Sequence, residues 1–258
     1  MRFYLAADPG STHGGHVDRA EALIDAAARS GYDGIKFQFF QAQAGSSNIA
    51  IDLGFAQRLS EHAVEAGIDF FASVWDLRGL EALKNCYTVV KSGVGGNIKK
   101  RCVSQIKFAH SQRYSKLIPT ACANFDRVYI SMDLTDAVTK NYNHPSIVRV
   151  YCVPEYPPRY KILLHGIPQW FEGYSDHTLT TDTASIAVKA GAWYIESHIR
   201  LDSRIGVPDE AIARCPSQQL DYVNELRSVY DSLIRVGRSD GKTVPYRAGE
   251  IGTEMPVG

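Results

Sequence analysis

The chain has 258 residues, 28 of them basic and 28 acidic, so its formal net charge is zero. With no basic run, it gives no reason to expect nucleic acid or an anionic membrane surface as a partner, and no apolar run reaches the length a bilayer crossing needs. It opens directly on a strand-like segment, without a charged-then-apolar leader, and is therefore expected to be cytoplasmic and to act on a small ligand.

The length suits one large core, close to the usual size of an eight-stranded α/β barrel. Eight runs rich in β-branched and aromatic residues read as strands: Arg2–Asp8, Gly34–Phe40, Asp69–Trp75, Thr88–Gly93, Arg127–Asp133, Ile147–Tyr156, Trp170–His177 and Trp193–Ile199. Segments with three-to-four-residue apolar spacing lie between them, the rhythm of βα units on a parallel sheet. The first helix carries a stripe of Ala20, Leu23, Ile24, Ala27 and Ala28 and ends before Gly31. The last follows Pro216, with Leu220, Val223, Leu226, Tyr230 and Leu233 on one face, and is expected to stop at Gly237.

Two stretches resist assignment. Ser111–Asp126 contains Pro119 and no clear helical period, so it reads as loop with a short extra element. In Val153–Arg159 the prolines 154, 157 and 158 remove ladder donors and mark a rigid loop. The expected fold is a (β/α)8 TIM barrel over residues 1–237, with 238–258 as an aperiodic tail. Cys86, Cys102, Cys122, Cys152 and Cys215 form no C-x-x-C pair and read as packing thiols of a reduced compartment.

In such a barrel the chemistry sits at the C-terminal rim of the strands, so polar residues closing strand patterns are the candidates. His177 and His198 close two consecutive strands of one strand-helix-strand unit and would project side by side, close enough to share a metal ion. Closure places the first strand beside the eighth, bringing Asp8 to His198. Two imidazoles with a carboxylate suit Mn²⁺, Fe²⁺, Co²⁺ or Zn²⁺ better than Ca²⁺. The plainer alternative is a pair of hydrogen-bonded rim histidines. Ser175 and Asp176 have an equally plain alternative as turn or N-cap residues.

Lys36, flanked by Ile35 and Phe37, must point at the barrel mouth or lose its hydration inside it. With Gln38 on the same face it makes an anion-reading pair; the alternative is a buried salt bridge. His13, in the Gly-rich turn Gly10–Gly15, could bring its imidazole to the same rim.

At these positions the chain resembles the sialic acid synthase (N-acetylneuraminate synthase, NeuB-like) barrels. The matching elements, in one order, are the G-x-x-H-x-G turn at 10–15, KFQ at 36–38, GIDFFAS at 67–73, SG at 92–93, C-V-x-x-Y-P at 152–157, GYSDHTL at 173–179 and IESHIRLD at 195–202. They span the chain from its first strand to about Pro216. The resemblance implies condensation of phosphoenolpyruvate with the aldehyde of an aldose or N-acylated amino sugar, giving a sialic-acid-type 2-keto acid and phosphate. It implies His177 and His198 as ligands of a divalent metal, typically Mn²⁺. Lys36, Gln38, Ser73, Ser92, Ser131 and Ser175 would bind the carboxylate and phosphate, and Tyr156 and Asp209 would face the sugar. Asp8, His13, Asp176 and Glu196 are the candidates for proton transfer or for orienting a ligand or its water.

The departures from the family pattern are specific. Asp8 stands where the family has a carboxylate one methylene longer, a difference of about 1.5 Å. Val89 aligns with a family lysine, and Lys91, two residues on, is the expected substitute. Pro154 and Glu155 replace a polar pair before Tyr156. The small antifreeze-like domain of the family has no counterpart before Gly258, and a homodimer through the barrel is compatible with the pattern. Two other readings stay open: different metal-dependent chemistry, aldolase- or isomerase-like, on the same barrel, and a catalytically inactive binding or assembly barrel.

Overall fold

The computed structural model describes residues 2–39, 49, 51–91, 97–108, 115–133, 144–153, 155, 156, 158 and 171–239; of residues 88–91, 97–100 and 236–239 it describes the backbone alone. Its elements in chain order are β1 Tyr4–Asp8, α1 Val17–Arg29, β2 Gly34–Phe39, α2 Ala56–Ala66, β3 Asp69–Val74, α3 Leu77–Lys84, β4 Tyr87–Lys91, β5 Asn97–Arg101, β6 Gln105–Phe108, α4 Ile118–Asn124, β7 Arg127–Met132, β8 Ile147–Cys152, β9 Gly173–Asp176, α5 Asp182–Lys189, β10 Tyr194–His198 and α6 Pro216–Ser239. Short 3₁₀ turns at Leu53–Phe55 and Pro208–Ala211 interrupt the connections.

Eight of the strands close a parallel barrel in the order β1-β2-β3-β6-β7-β8-β9-β10 and back to β1. The register at closure sets Asp8 directly opposite His198 and Ala6 opposite Glu196. All eight strands run the same way, so their C-terminal ends share one rim. The expected apolar stripe of α1 is buried at Ala20, Leu23, Ile24 and Ala27, which seats the helix on the sheet. Among the described residues no helix is long and apolar enough to cross a membrane.

The barrel interior is layered. Its lower part is filled by aromatic rings: Tyr129 stacks on Tyr194 with centroids 4.3 Å apart, Tyr194 lies 6.0 Å from Tyr4, and Phe71 tilts against Tyr129 at 5.7 Å. Two glycines make room for them. A Cβ on Gly34 would meet Tyr4 Oη at 2.2 Å, and one on Gly173 would meet Tyr194 Cδ1 at 2.8 Å, so any larger residue there would displace a ring.

The expected fourth barrel strand is corrected. Residues 87–91 do form a strand, but it pairs antiparallel with β5, Tyr87 opposite Arg101 and Lys91 opposite Asn97, in a separate two-stranded sheet. The place beside β3 belongs to β6, with Ala72 opposite Ile106 and Ser73 opposite Lys107. A short β-branched run carries the same local signal whether its partner is the barrel or its own hairpin mate. The reading of all five cysteines as thiols is corrected with it. Cys86 and Cys102 form a disulfide with Cα atoms 5.4 Å apart, closing the base of the β4–β5 hairpin, while Cys122, Cys152 and Cys215 are free.

In the stretch read as loop with a short extra element, α4 forms, with Pro119 in its first turn, where a missing N–H costs no hydrogen bond. It buries Ile118 and Ala121 alone, too few positions to show a period. The last helix runs two residues past Gly237, to Ser239. The expected tail from 240 onward and most of the proline-rich loop after β8 lie outside the described residues.

Candidate active site

A cavity of about 450 Å³ opens at the C-terminal rim. Its floor is a chain of four buried charges supplied by four different strands. Lys36 Nζ on β2 lies 2.7 Å from Asp8 Oδ2 on β1 and 2.8 Å from Glu196 Oε1 on β10. Lys107 Nζ on β6 donates to the same Glu196 oxygen. Ser175 Oγ on β9 adds a third donor to that oxygen at 3.0 Å, and Tyr194 Oη donates to the other, Oε2, at 2.7 Å. Strand alternation explains the grouping: on β10, Tyr194, Glu196 and His198 share one face, while Ser197 turns away to Tyr32.

The electrostatics follow from the pairing. Burial alone would raise the carboxyl of Glu196, but the Lys107 and Lys36 ammoniums outweigh it and hold Glu196 well below the usual carboxylate range. Burial likewise opposes ionisation of Asp8, and Lys36, with His198 behind it, overcomes this and lowers its pKa. Lys36 is raised, against burial, by Asp8 and Glu196. Lys107 is lowered by burial, with Lys36 nearby acting in the same direction. Glu196 therefore has no proton to donate at neutral pH, and its role is to hold two lysines side by side.

Above this floor stand the two histidines, with ring centroids 5.3 Å apart. Nδ1 of His177 donates to the Val153 carbonyl at 3.2 Å, which leaves the lone pair on Nε2, and Tyr156 Oη approaches that nitrogen at 3.4 Å. Burial, then the neighbouring His198, pushes His177 down to about 3, so its imidazole is neutral. Nε2 of His198 lies 3.8 Å from Asp8 Oδ2, and its Nδ1 is buried without a hydrogen-bond partner among the described residues. The neutral imidazole of His177 and the imidazole of His198, whose buried Nδ1 has no hydrogen-bond partner among the described residues, stand beside a carboxylate and fit a borderline divalent ion that keeps open positions. Among the described residues no group of three His, Cys, Asp or Glu comes together as a protein-only cage.

Most expected site residues meet here. Gln38, Ser73, Ser131, Tyr156, Ser175 and Asp209 line the cavity with Asp8, Lys36, Glu196 and the two histidines. Tyr156 stacks on His177 with centroids 4.3 Å apart. Asp209 accepts from the Ser11 backbone N–H at 2.6 Å and so clasps the Gly-rich turn.

Three expectations are not met as read. Asp176 is fully buried on the opposite face of β9, where it accepts from Arg214 at 2.9 Å, Tyr222 Oη at 2.9 Å and Thr178 Oγ1 at 2.7 Å. It ties β9 to the elements behind it instead of facing the cavity. His13 is also fully buried, its Nδ1 accepting from Gly15 N–H at 2.9 Å and its ring 6.0 Å from Phe37, and it does not line the cavity. Lys91 sits on the hairpin, outside the barrel sheet, and Ser92 lies outside the described residues. The lysine sought at Val89 and Lys91 is Lys107 in position, and the sequence did carry a sign of it: Ile-Lys-Phe occurs at 35–37 and again at 106–108. Trp75, Asp133, Cys152 and Pro208 also line the cavity; Asp133, two residues beyond Ser131 at the end of its strand pattern, shares its face, while nothing local marks the other three as cavity-facing.

The fold and this rim define an α/β barrel with paired buried lysines at the cavity floor and paired imidazoles above them. The NeuB family model matches residues 46–237, and the chain belongs to that family. It is 25% identical over 258 residues to the N,N'-diacetyllegionaminic acid synthase of Legionella pneumophila, covering 88% of this chain and 72% of that protein. The Campylobacter jejuni protein of the same name is 24% identical over 93% of this chain and 81% of its own length. In structure, the chain superposes on the N-acetylneuraminic acid synthetase of Leptospira borgpetersenii with a TM-score of 0.73 at 21% identity, covering 99% of this chain and 88% of that one. That last likeness speaks to the fold.

Proposed function

We propose that this protein condenses phosphoenolpyruvate with the aldehyde of an aldose or N-acylated amino sugar, giving a sialic-acid-type 2-keto acid and inorganic phosphate. The observation that carries the reading is the pair of buried lysines, Lys36 and Lys107, held on Glu196 at the floor of a cavity that two imidazoles overlook. The family membership and the names of the relatives support it.

In this reading the lysines bind the phosphate and carboxylate of phosphoenolpyruvate, with Ser73, Ser131, Ser175 and Gln38 adding neutral hydrogen bonds. C3 of phosphoenolpyruvate attacks the aldehyde carbon and forms the new C–C bond. Water adds at C2, and cleavage of the C2–O bond releases phosphate and leaves the 2-keto group. His177 and His198 would hold a divalent ion, which we take to be Mn²⁺, whose contribution when bound is Lewis-acid polarisation of the aldehyde oxygen. Asp8, ionised and beside His198, would accept a proton from water at the rim or orient it. Tyr156 and Asp209 bound the acceptor side of the cavity.

The test is phosphate release from phosphoenolpyruvate with Mn²⁺ against aldoses and N-acetylated amino sugars, N-acetylmannosamine among them. Release that requires both metal and one sugar is the expected result and names the acceptor. Folded, metal-loaded protein that releases no phosphate with any acceptor would overturn the proposal. His177→Ala reads the metal separately: Mn²⁺ binding by calorimetry is lost while the circular dichroism of the fold stays.

A further inference from the structure

Beneath the cavity floor, Tyr194 is fully buried and does not line the cavity. Its hydroxyl nevertheless donates to Glu196 Oε2 at 2.7 Å, the oxygen that neither lysine takes in the hydrogen bonds described, while Lys36, Lys107 and Ser175 crowd onto Oε1. The ring is fixed from both sides by Tyr129 at 4.3 Å and Tyr4 at 6.0 Å. Gly173 leaves the space it occupies, since a Cβ there would come 2.8 Å from Tyr194 Cδ1.

We propose that Tyr194 is a positioning residue for the anion-binding lysines: by holding Oε2 of Glu196 below the floor, it keeps Oε1 turned up between Lys36 and Lys107, so both ammoniums stand at the cavity surface. This rests on the reading of the cavity as a phosphoenolpyruvate site. Without the hydroxyl, Oε2 is a buried carboxylate oxygen facing ring carbon in an interior filled by side chains. The strongest donors within reach are the two ammoniums, and a lysine that swings down to satisfy Oε2 leaves the cavity. Substrate anion then competes with a carboxylate that grips the lysines on both oxygens. The effect falls on binding, because Tyr194 touches neither the imidazoles nor the acceptor side.

Tyr194→Phe keeps the ring and its stacking. We expect its dissociation constant and KM for phosphoenolpyruvate to rise about tenfold, with kcat within twofold. Tyr32→Phe is the control. It removes a hydroxyl bonded at 2.9 Å to Ser197 on the other face of the same strand, so it removes a buried hydrogen bond without touching Glu196, and its phosphoenolpyruvate affinity should stay within twofold. Calorimetric titration of phosphoenolpyruvate into the three proteins separates the outcomes. Equal affinity in wild type and Tyr194→Phe, or an equal loss in both variants, overturns the positioning role alone. No binding by the wild type removes the substrate reading, and this inference with it.

Discussion

Replacing Lys107 by Met, alongside Lys91 by Met, decides which lysine serves the anion. Lys107 is 3% exposed and shares Glu196 Oε1 with Lys36 and Ser175. Breaking a buried ion pair ordinarily costs 3–5 kcal/mol. Here Glu196 keeps Lys36, Ser175 and Tyr194, and the Met side chain refills the volume, so a loss of about 3 kcal/mol or less is expected. Removing one charge-assisted hydrogen bond to a buried anion is worth about 1.5–3 kcal/mol, or about 10- to 150-fold in the phosphoenolpyruvate dissociation constant. Lys91 sits on a hairpin outside the barrel sheet, so Lys91→Met should change that constant by less than twofold. Calorimetric titration of phosphoenolpyruvate at fixed ionic strength, which screens surface charge equally in both variants, measures the difference, and thermal unfolding measures the stability. Loss of binding in Lys91→Met with retention in Lys107→Met would refute the assignment.

Asp176→Asn should lower stability by about 3 kcal/mol, because it leaves the guanidinium of Arg214, 1% exposed, without its counter-ion; kcat per folded molecule should hold, and a large kcat loss at unchanged melting temperature would return Asp176 to the chemistry. His13 titrates from 6.5 in the unfolded chain down to about 4 in the fold, mainly through burial. The unfolded chain thus binds the extra proton between those values, and the native state loses about 3 kcal/mol as pH falls from 6.5 to 4. Denaturant midpoints of His13→Asn, which keeps an acceptor for Gly15 N–H, should show a flatter pH dependence over that window, and an unchanged slope would contradict the burial account. Cutting the Cys86–Cys102 link by Cys86→Ser should cost about 3 kcal/mol for a loop of this length. Wild type in reducing buffer should unfold at the same denaturant concentration as the variant, and a variant as stable as oxidised wild type would show the link contributes nothing.

Much of the barrel was legible because a βα unit writes itself locally: an apolar run, a turn and an amphipathic stripe. The stripe of α1 and the strands ending at Asp8, Asp176 and His198 needed no partner to be recognised. Neighbourhood at the rim was legible too, since parallel strands in sequence order fix which C-terminal ends adjoin; Asp8 opposite His198 follows from closure alone. The faces of Asp176 and His13 were not. A turn or strand end can send a polar side chain to either side of the sheet, and only the buried guanidinium behind β9 shows which side Asp176 serves.

The sequence by itself determined the barrel, the C-terminal rim as the place where the candidate residues gather, and the lysine and two histidines that stand there, because each depends on periodicity and chain order. Tertiary structure decided that Lys107, not Lys91, completes the lysine pair, that Glu196 gathers it, and that Tyr194 holds Glu196 from below. The lysine contacts join strands distant in sequence, up to 160 residues for Lys36 and Glu196, and the Tyr194 bond, though only two residues long on one strand, forms because both side chains face the filled interior. No local pattern encodes them, since they exist only once the sheet has closed and the interior has been filled.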